Sequence, residues 1–197
     1  MLGIKKSSGL TLTELIISTI IVGIMMVGIT SMDVAFRRSQ MGTSRKALLS
    51  MRASVIMLEI SKDAQLATGD QSSMGVDTSV PDTLCIRRED PSRPPPLVTP
   101  GDYTDDDWAC YTHLGNHLYK CMSIHPAGPV NCTGGAADED LGAVTGFIPK
   151  MIVDIANHEF CLEVDLTTIY NPAIGANAID NPDFNLKARF NLISHSF

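Results

Sequence analysis

The stretch GLTLTELIISTIIVGIMMVGI, Gly9 to Ile29, decides the fold because it is apolar enough to cross a bilayer and yet carries one carboxylate, Glu14. A spanning helix needs roughly 20 predominantly apolar residues to cross about 30 Å of hydrocarbon, and this stretch has that length. No small-residue cleavage site of the A-x-A type follows Ile29, so an ordinary secretory signal fits the sequence poorly. The sequence therefore predicts a membrane-spanning helix.

Glu14 is the residue that an ordinary membrane anchor does not explain. A carboxylate at the centre of a spanning helix costs on the order of 2.5 to 3.5 kcal/mol, and such groups usually pair with a partner. Charges near the end of a helix are tolerated more easily, so a simple anchor with one interfacial charge is an open alternative. The position of Glu14 predicts either a partner charge or a tolerated charge at the membrane edge.

The residues around Glu14 resemble a known family. Lys5 and Lys6, then Gly9, then LTLTE and an uninterrupted apolar helix are similar to the leader and N-terminal helix of type IV pilin-like proteins. This resemblance implies cleavage between Gly9 and Leu10 by a prepilin peptidase, methylation of the new amino terminus at Leu10, and a role for Glu14 in filament assembly. Leu10 is a departure, because the family usually has phenylalanine there.

The same resemblance implies a partner for Glu14 and a set of partner proteins. The amine freed at Leu10 of a neighbouring subunit would supply the ammonium that makes an apolar environment tolerable for the carboxylate. The implied partners are other pilins or pseudopilins of the filament, the prepilin peptidase and methylase, and an inner-membrane assembly platform.

The helix is expected to continue beyond the membrane. Leu48, Met51, Val55 and Leu58 follow steps of three and four, which predicts one apolar face packed on a sheet, and Thr68-Gly69 offers a stop. The predicted organisation is a leader (1–9), a transmembrane and assembly helix (10–32), an amphipathic helix that continues into the head (33–69) and a β-rich globular head outside the cytoplasm (70–197). The predicted fold class is α+β, with the long helix packed on a mostly antiparallel sheet.

Alternating and β-branched segments predict the strands of the head. Gly115-Asn116 is a two-residue turn signal between two of them. The loop after Arg88 is rich in proline, which cannot join a central ladder. The predicted strands are Thr83 to Arg88, Trp108 to His113, His117 to Ser123, Met151 to Ile155, Phe160 to Leu166 and Phe184 to Ile193.

Parts of the head resemble one branch of the pilin-like family. The phrases RASVIMLEISKDAQLATG (52–69), CYTHLGNHLYKC (110–121) and FNLKARFNL (184–192) are similar to PilW-type minor pilins and to J-type pseudopilins of type II secretion. The resemblance implies a low-copy subunit that starts, caps or modulates a filament. A major pilin is the alternative within the family.

Charge divides unevenly along the chain. Residues 33–67 hold six basic and three acidic residues, a net charge of +3, whereas residues 68–197 hold seven basic and 18 acidic residues, a net charge of −11. An acidic head argues against nucleic acid as a partner, because DNA binding normally needs a basic patch.

Two signals disagree on which side of the membrane the head lies. Lys5 and Lys6 precede the span, but more basic residues follow it, and that count would place the head in the cytoplasm. The five cysteines, all in the head, favour an oxidising compartment. Together with the leader motif they predict a single-pass inner-membrane protein with its head in the periplasm or outside, and later a pilus or pseudopilus component.

The cysteines predict disulfides more than a metal site. Zinc sites commonly begin with C-x2-4-C, which is absent although His113, His117 and His125 lie among the cysteines. In the predicted hairpin Cys110 lies across from Cys121, which makes them the first candidate bridge. The rival bridge, Cys121 to Cys132, would close the following loop, and one cysteine is left over in either case.

No enzyme or cofactor is predicted. The chain lacks G-x-S-x-G, a Walker loop, H-E-x-x-H and C-x-x-C-H. Asp102, Asp105, Asp106 and Asp107 form one acidic loop that could bind calcium, but the EF-hand spacing is missing and a solvated loop fits better. Two classes of function are left: a filament subunit, and a membrane-anchored adhesive or binding module that would not need Glu14.

Overall fold

The computed structural model describes residues 11–69, 73–89, 103, 106–124, 128–154, 159–177 and 180–192. Over these residues it has one helix, α1 (Leu12–Gln65), followed by seven strands. The strands are β1 (Val76–Asp77), β2 (Thr83–Arg88), β3 (Asp107–Leu114), β4 (His117–Ser123), β5 (Glu139–Asp154), β6 (Glu159–Ile169) and β7 (Asp183–Asn191). The predicted α+β class, a long apolar N-terminal helix with an antiparallel sheet, is confirmed.

The chain divides into two compact units with the boundary between Met41 and Gly42. In the described part of the first unit, every side chain from Thr11 to Met41 is exposed. This part of α1 is long and apolar enough to cross a membrane by length and composition. The finding is compatible with a single membrane anchor near the amino terminus.

In the second unit, the part of α1 that follows Met41 packs on one face of the sheet. The seven strands lie in the sheet in chain order, and every neighbouring pair is antiparallel. Short connections produce this order, because consecutive antiparallel strands need only a hairpin. Gly115, which follows β3, has φ of 63°, the left-handed conformation that a type II′ hairpin turn assigns to glycine.

The sheet buries one face of the helix, and it is the face opposite to the predicted one. Leu49, Ala53, Ile56, Ile60 and Ala64 are buried at helical spacing, and all of them except Leu49 belong to one core with buried side chains of the sheet. The prediction that Leu48, Met51, Val55 and Leu58 pack on the sheet is wrong, because these four side chains are exposed. Both sets follow steps of three and four, so α1 carries two apolar faces and the sheet takes the one that contains the small alanines.

The core of the sheet lies on the helix side. It is built from alternating inward-facing residues, as expected when only one face of a sheet meets a helix. Its largest fully buried sheet side chains include Tyr111, Phe147, Leu84, Leu118, Leu162 and Leu166.

The two faces of α1 predict different costs for the same substitution. Leu49→Ala removes a side chain with 0% exposure, so we expect it to lower the free energy of unfolding by about 2–5 kcal/mol. Leu58→Ala changes a side chain that is 70% exposed, so we expect a change within about 0.5 kcal/mol. Denaturant unfolding, followed by the fluorescence of the single tryptophan, Trp108, measures both. Equal losses for the two variants would contradict the assignment of faces.

Candidate functional site

Glu14 lies in the first turn of α1 and is exposed. One of its carboxylate oxygens accepts hydrogen bonds from the backbone N–H and the hydroxyl of Thr11, both at 2.9 Å. The N–H of Glu14 in turn donates to the Thr11 hydroxyl at 3.4 Å. This reciprocal pattern is a capping box, in which the side chains at the N-cap and at the third helical position satisfy donors that the helix leaves open.

The capping role of Glu14 was not predicted from the sequence. The signal was present, because Thr11 and Glu14 stand three residues apart just before an apolar run. The predicted cleavage residues Gly9 and Leu10 lie outside the described residues. The assembly role of Glu14 therefore stays a prediction. Capping of the first turn of α1 is an alternative role for the same carboxylate.

The exposed side of α1 in the second unit is an apolar surface. We call Leu48, Met51, Val55 and Leu58 the exposed stripe; they are 42%, 67%, 59% and 70% exposed. The four residues lie on one side of the helix because their spacing repeats every three to four residues. Large apolar side chains exposed together on one side of a helix make that side a candidate interaction surface.

A buried ion cluster joins α1 to the sheet. Asp63 has 0% exposure, and one of its oxygens lies 2.9 Å from a guanidinium nitrogen of Arg88. Its other oxygen lies 2.9 Å from Nζ of Lys120 and accepts a 2.6 Å hydrogen bond from the Tyr111 hydroxyl. Lys120 also binds Glu59, one turn earlier in α1. The cluster contains two carboxylates and two cations, so its charge is balanced.

The cluster changes the titration of two of its members. Burial raises the pKa of the Tyr111 hydroxyl well above its ordinary range, and the Asp63 carboxylate raises it further. Burial acts to lower the pKa of Lys120, but the hydrogen bonds and charges of Glu59 and Asp63 outweigh burial and leave that pKa raised. Tyr111 is therefore a neutral donor and Lys120 a cation at neutral pH.

A second cluster lies around Arg87 in β2. The buried Arg87 side chain donates to the carbonyl of Thr68 and to Ser73, and its guanidinium lies over the rings of Tyr103 and Trp108. Stacking of this kind suits a planar guanidinium. The arginine therefore holds the segment that follows α1 against the sheet.

Two of the four calcium candidates can be placed in the structure. Asp106 is buried, accepts a 2.7 Å hydrogen bond from the Thr68 hydroxyl, and lies 3.6 Å from Arg87. Asp107 is buried at the start of β3. Asp102 and Asp105 lie outside the described residues. Within the described ranges, no group of three or more His, Cys, Asp and Glu side chains is arranged to hold a metal ion.

Four cysteines form two disulfides. Cys85 pairs with Cys110, with a Cα–Cα distance of 4.0 Å, and Cys121 pairs with Cys132, at 5.5 Å. The predicted Cys110–Cys121 bridge is wrong, and its rival, Cys121–Cys132, is present. Cys161 is the remaining cysteine; it is buried in β6 and its thiol donates to the side-chain oxygen of Asn191 at 3.1 Å. The bridged cysteines carry no thiolate that could bind zinc.

No match to this chain was found among protein-family models, curated proteins or solved structures.

Proposed function

We propose that this protein is a structural subunit of a type IV filament, either a minor pilin or a pseudopilin of type II secretion. In this proposal the chain starts, caps or modulates assembly of the filament. It spans the inner membrane once before assembly, with its head in the periplasm or outside, and then becomes part of the pilus or pseudopilus. The support is the leader-like sequence together with a helix that presents apolar surface outside its own head.

The exposed stripe is the observation that carries the proposal. A helix that served only as an anchor would need an apolar surface within the membrane and a polar outer face where it packs on the head. In α1 the head buries one apolar face and leaves Met51, Val55 and Leu58 more than half exposed. Full burial of each such side chain is worth up to about 1.5–3 kcal/mol, which favours association with another apolar surface.

The amino-terminal chemistry follows from the same proposal. The prepilin peptidase cuts between Gly9 and Leu10, and Leu10 is methylated. Glu14 then pairs with the amine of Leu10 on a neighbouring subunit, which sets the register between helices. The assembly platform extracts the processed chain from the membrane, and other pilins or pseudopilins of the filament are its partners. The two disulfides fit an oxidising compartment for the head.

A membrane-anchored adhesive or binding module is the second candidate. The capping box favours it, because Thr11 gives one oxygen of the Glu14 carboxylate two hydrogen bonds within one helical turn. In that case the helix is an anchor, the glutamate stabilises its first turn, and the head carries the binding activity. This candidate requires neither processing nor stacking.

The mass of the amino-terminal peptide tests the proposal. In filaments sheared from cells that express this chain, we expect the peptide to begin at Leu10 and to carry one added methyl group. The matched control is a Gly9→Val variant, in which the residue before the cut is branched and the leader should be retained. An intact Met1 in assembled material would overturn the proposal.

A further inference from the structure

Three cysteines lie side by side on the face of the sheet away from the helix. In the register of β2 with β3, Cys85 is opposite Cys110, and in the register of β3 with β4, Cys110 is opposite Cys121. Directly opposed residues on antiparallel strands point to the same face, with Cβ atoms about 4.5–5.5 Å apart. We call Cys85, Cys110 and Cys121 the cysteine row. Cys110 therefore has a cysteine on each side.

Cys132 lies over the cysteine row and completes the cluster. Its Sγ lies 3.3 Å from the carbonyl oxygen of Cys110, and its N–H donates to the Thr112 hydroxyl at 3.1 Å. The sulfur is in a disulfide and carries no hydrogen, so the contact with the carbonyl is packing and not a hydrogen bond. Cys85, Cys110 and Cys132 form one buried cluster, with Cys121 packed against it.

The two bonds differ in their access to solvent. Cys85, Cys110 and Cys132 are 2%, 0% and 4% exposed, whereas Cys121 is only partly buried. Thiol–disulfide exchange requires an attacking thiolate to reach a sulfur, so the Cys121 sulfur is the point of entry. The Cys85–Cys110 bond is closed to an external thiol but adjacent to Cys121.

We propose that Cys110 is a shared partner, whose disulfide moves from Cys85 to Cys121 once an external dithiol has opened the Cys121–Cys132 bond. In the first step, one thiolate of the dithiol attacks the Cys121 sulfur and releases Cys132 as a thiolate. The second thiolate of the reagent then closes its own disulfide and releases Cys121, so the dithiol is oxidised and the protein bond is reduced.

The second step is internal and needs no further reagent. The Cys121 thiolate attacks the Cys110 sulfur, the Cys110–Cys121 bond forms, and the Cys85–Cys110 bond breaks. The electron pair leaves on Cys85, which takes up a proton. The product retains one disulfide, across the β3–β4 hairpin, and has thiols at Cys85 and Cys132. The segment around Cys132 is then no longer tied covalently to β4.

Limited reduction of the full-length chain in detergent tests this exchange. The protein is treated with dithiothreitol at one equivalent, quenched in acid and alkylated, and its peptides are fragmented to locate the label. We expect a Cys110–Cys121 linked species with label on Cys85 and Cys132. Label confined to Cys121 and Cys132, with Cys85–Cys110 intact, would overturn the proposal, and so would loss of both bonds without that species.

Two variants give the test a second, independent form. In Cys132→Ser the Cys121 thiol is present without any reductant, so we expect Cys85–Cys110 and Cys110–Cys121 species together; Cys85–Cys110 alone would overturn the proposal. Cys161→Ser is the control, because the Cys161 thiol pairs with Asn191 and takes no part in the scheme. Loss of the Cys110–Cys121 species in that control would mean that the exchange passes through a mixed disulfide with Cys161, and it would contradict direct attack by Cys121.

Discussion

Asp63→Ala is expected to lower the free energy of unfolding of the head by about 3–5 kcal/mol, the usual cost of breaking a buried ion pair by removing one partner. The loss is large because the substitution removes the carboxylate and leaves its charged and polar partners in place. Arg88 and Lys120 keep their charges, but Arg88 loses its carboxylate in the cluster and Lys120 is left with Glu59 alone. The Tyr111 hydroxyl also loses its acceptor at a site with 0% exposure, and an unsatisfied buried donor adds to the loss.

Glu163→Ala is the matched control for Asp63. Glu163 also forms two ion pairs, with Lys187 at 2.8 Å and Arg189 at 3.1 Å, but these cations are 55% and 58% exposed. Solvent can therefore replace the lost carboxylate, and we expect a clearly smaller loss. Denaturant unfolding of the full-length chain in detergent, followed by Trp108 fluorescence, measures both variants. Losses of equal size would contradict the view that the Asp63 cluster holds α1 to the sheet.

Local sequence signals predicted several strands and the turn between two of them. The bounds of β2 and β4 agree with the alternating segments, and Gly115 lies in the hairpin turn that Gly115-Asn116 predicted. These features depend on residues close together in the chain, so the sequence contains them directly. The short strand β1 (Val76–Asp77) was missed, because two residues give no periodic pattern.

The first 12 residues of β5, 139–150, were missed because they are typical of loops. Gly142 has φ of 114°, and the pairing of β4 with β5 shifts register between Leu118 and Tyr119. Pro149 pairs with Val164 inside the strand, although proline lacks the N–H that a ladder uses. Glycine beside an irregular pairing position and proline inside a regular one therefore concealed most of a 16-residue strand.

Features that depend on distant residues could not be predicted. The hairpin register did place Cys110 opposite Cys121, but β2 brings Cys85 to the other side of the same residue. The choice between these neighbours depends on tertiary pairing. The Asp63 cluster also joins residues 25 and 48 positions apart in sequence. The exposed stripe was found from its spacing, but a helix with two apolar faces gives no local sign of which face is buried.

Glu14 is the residue at which the filament proposal and the capping box make different predictions. Alanine removes both the charge and the hydrogen bonds to Thr11, so Glu14→Ala alone cannot separate them. Glutamine keeps a side-chain acceptor at the third helical position, where capping boxes accept either residue, but it has no charge. Thr11→Ala is the reciprocal control, because it removes the capping hydroxyl and leaves the carboxylate in place.

The most direct test of the account is the amount of Glu14→Gln protein in sheared filaments, relative to the amount in the membrane fraction of the same cells. If Glu14 pairs with the amino terminus of a neighbouring subunit, we expect Glu14→Gln and Glu14→Ala to insert in the membrane normally and to be lost from filaments. We expect Thr11→Ala to be incorporated. Incorporation of Glu14→Gln at the level of the unchanged chain would contradict the account and leave Glu14 as a helix cap.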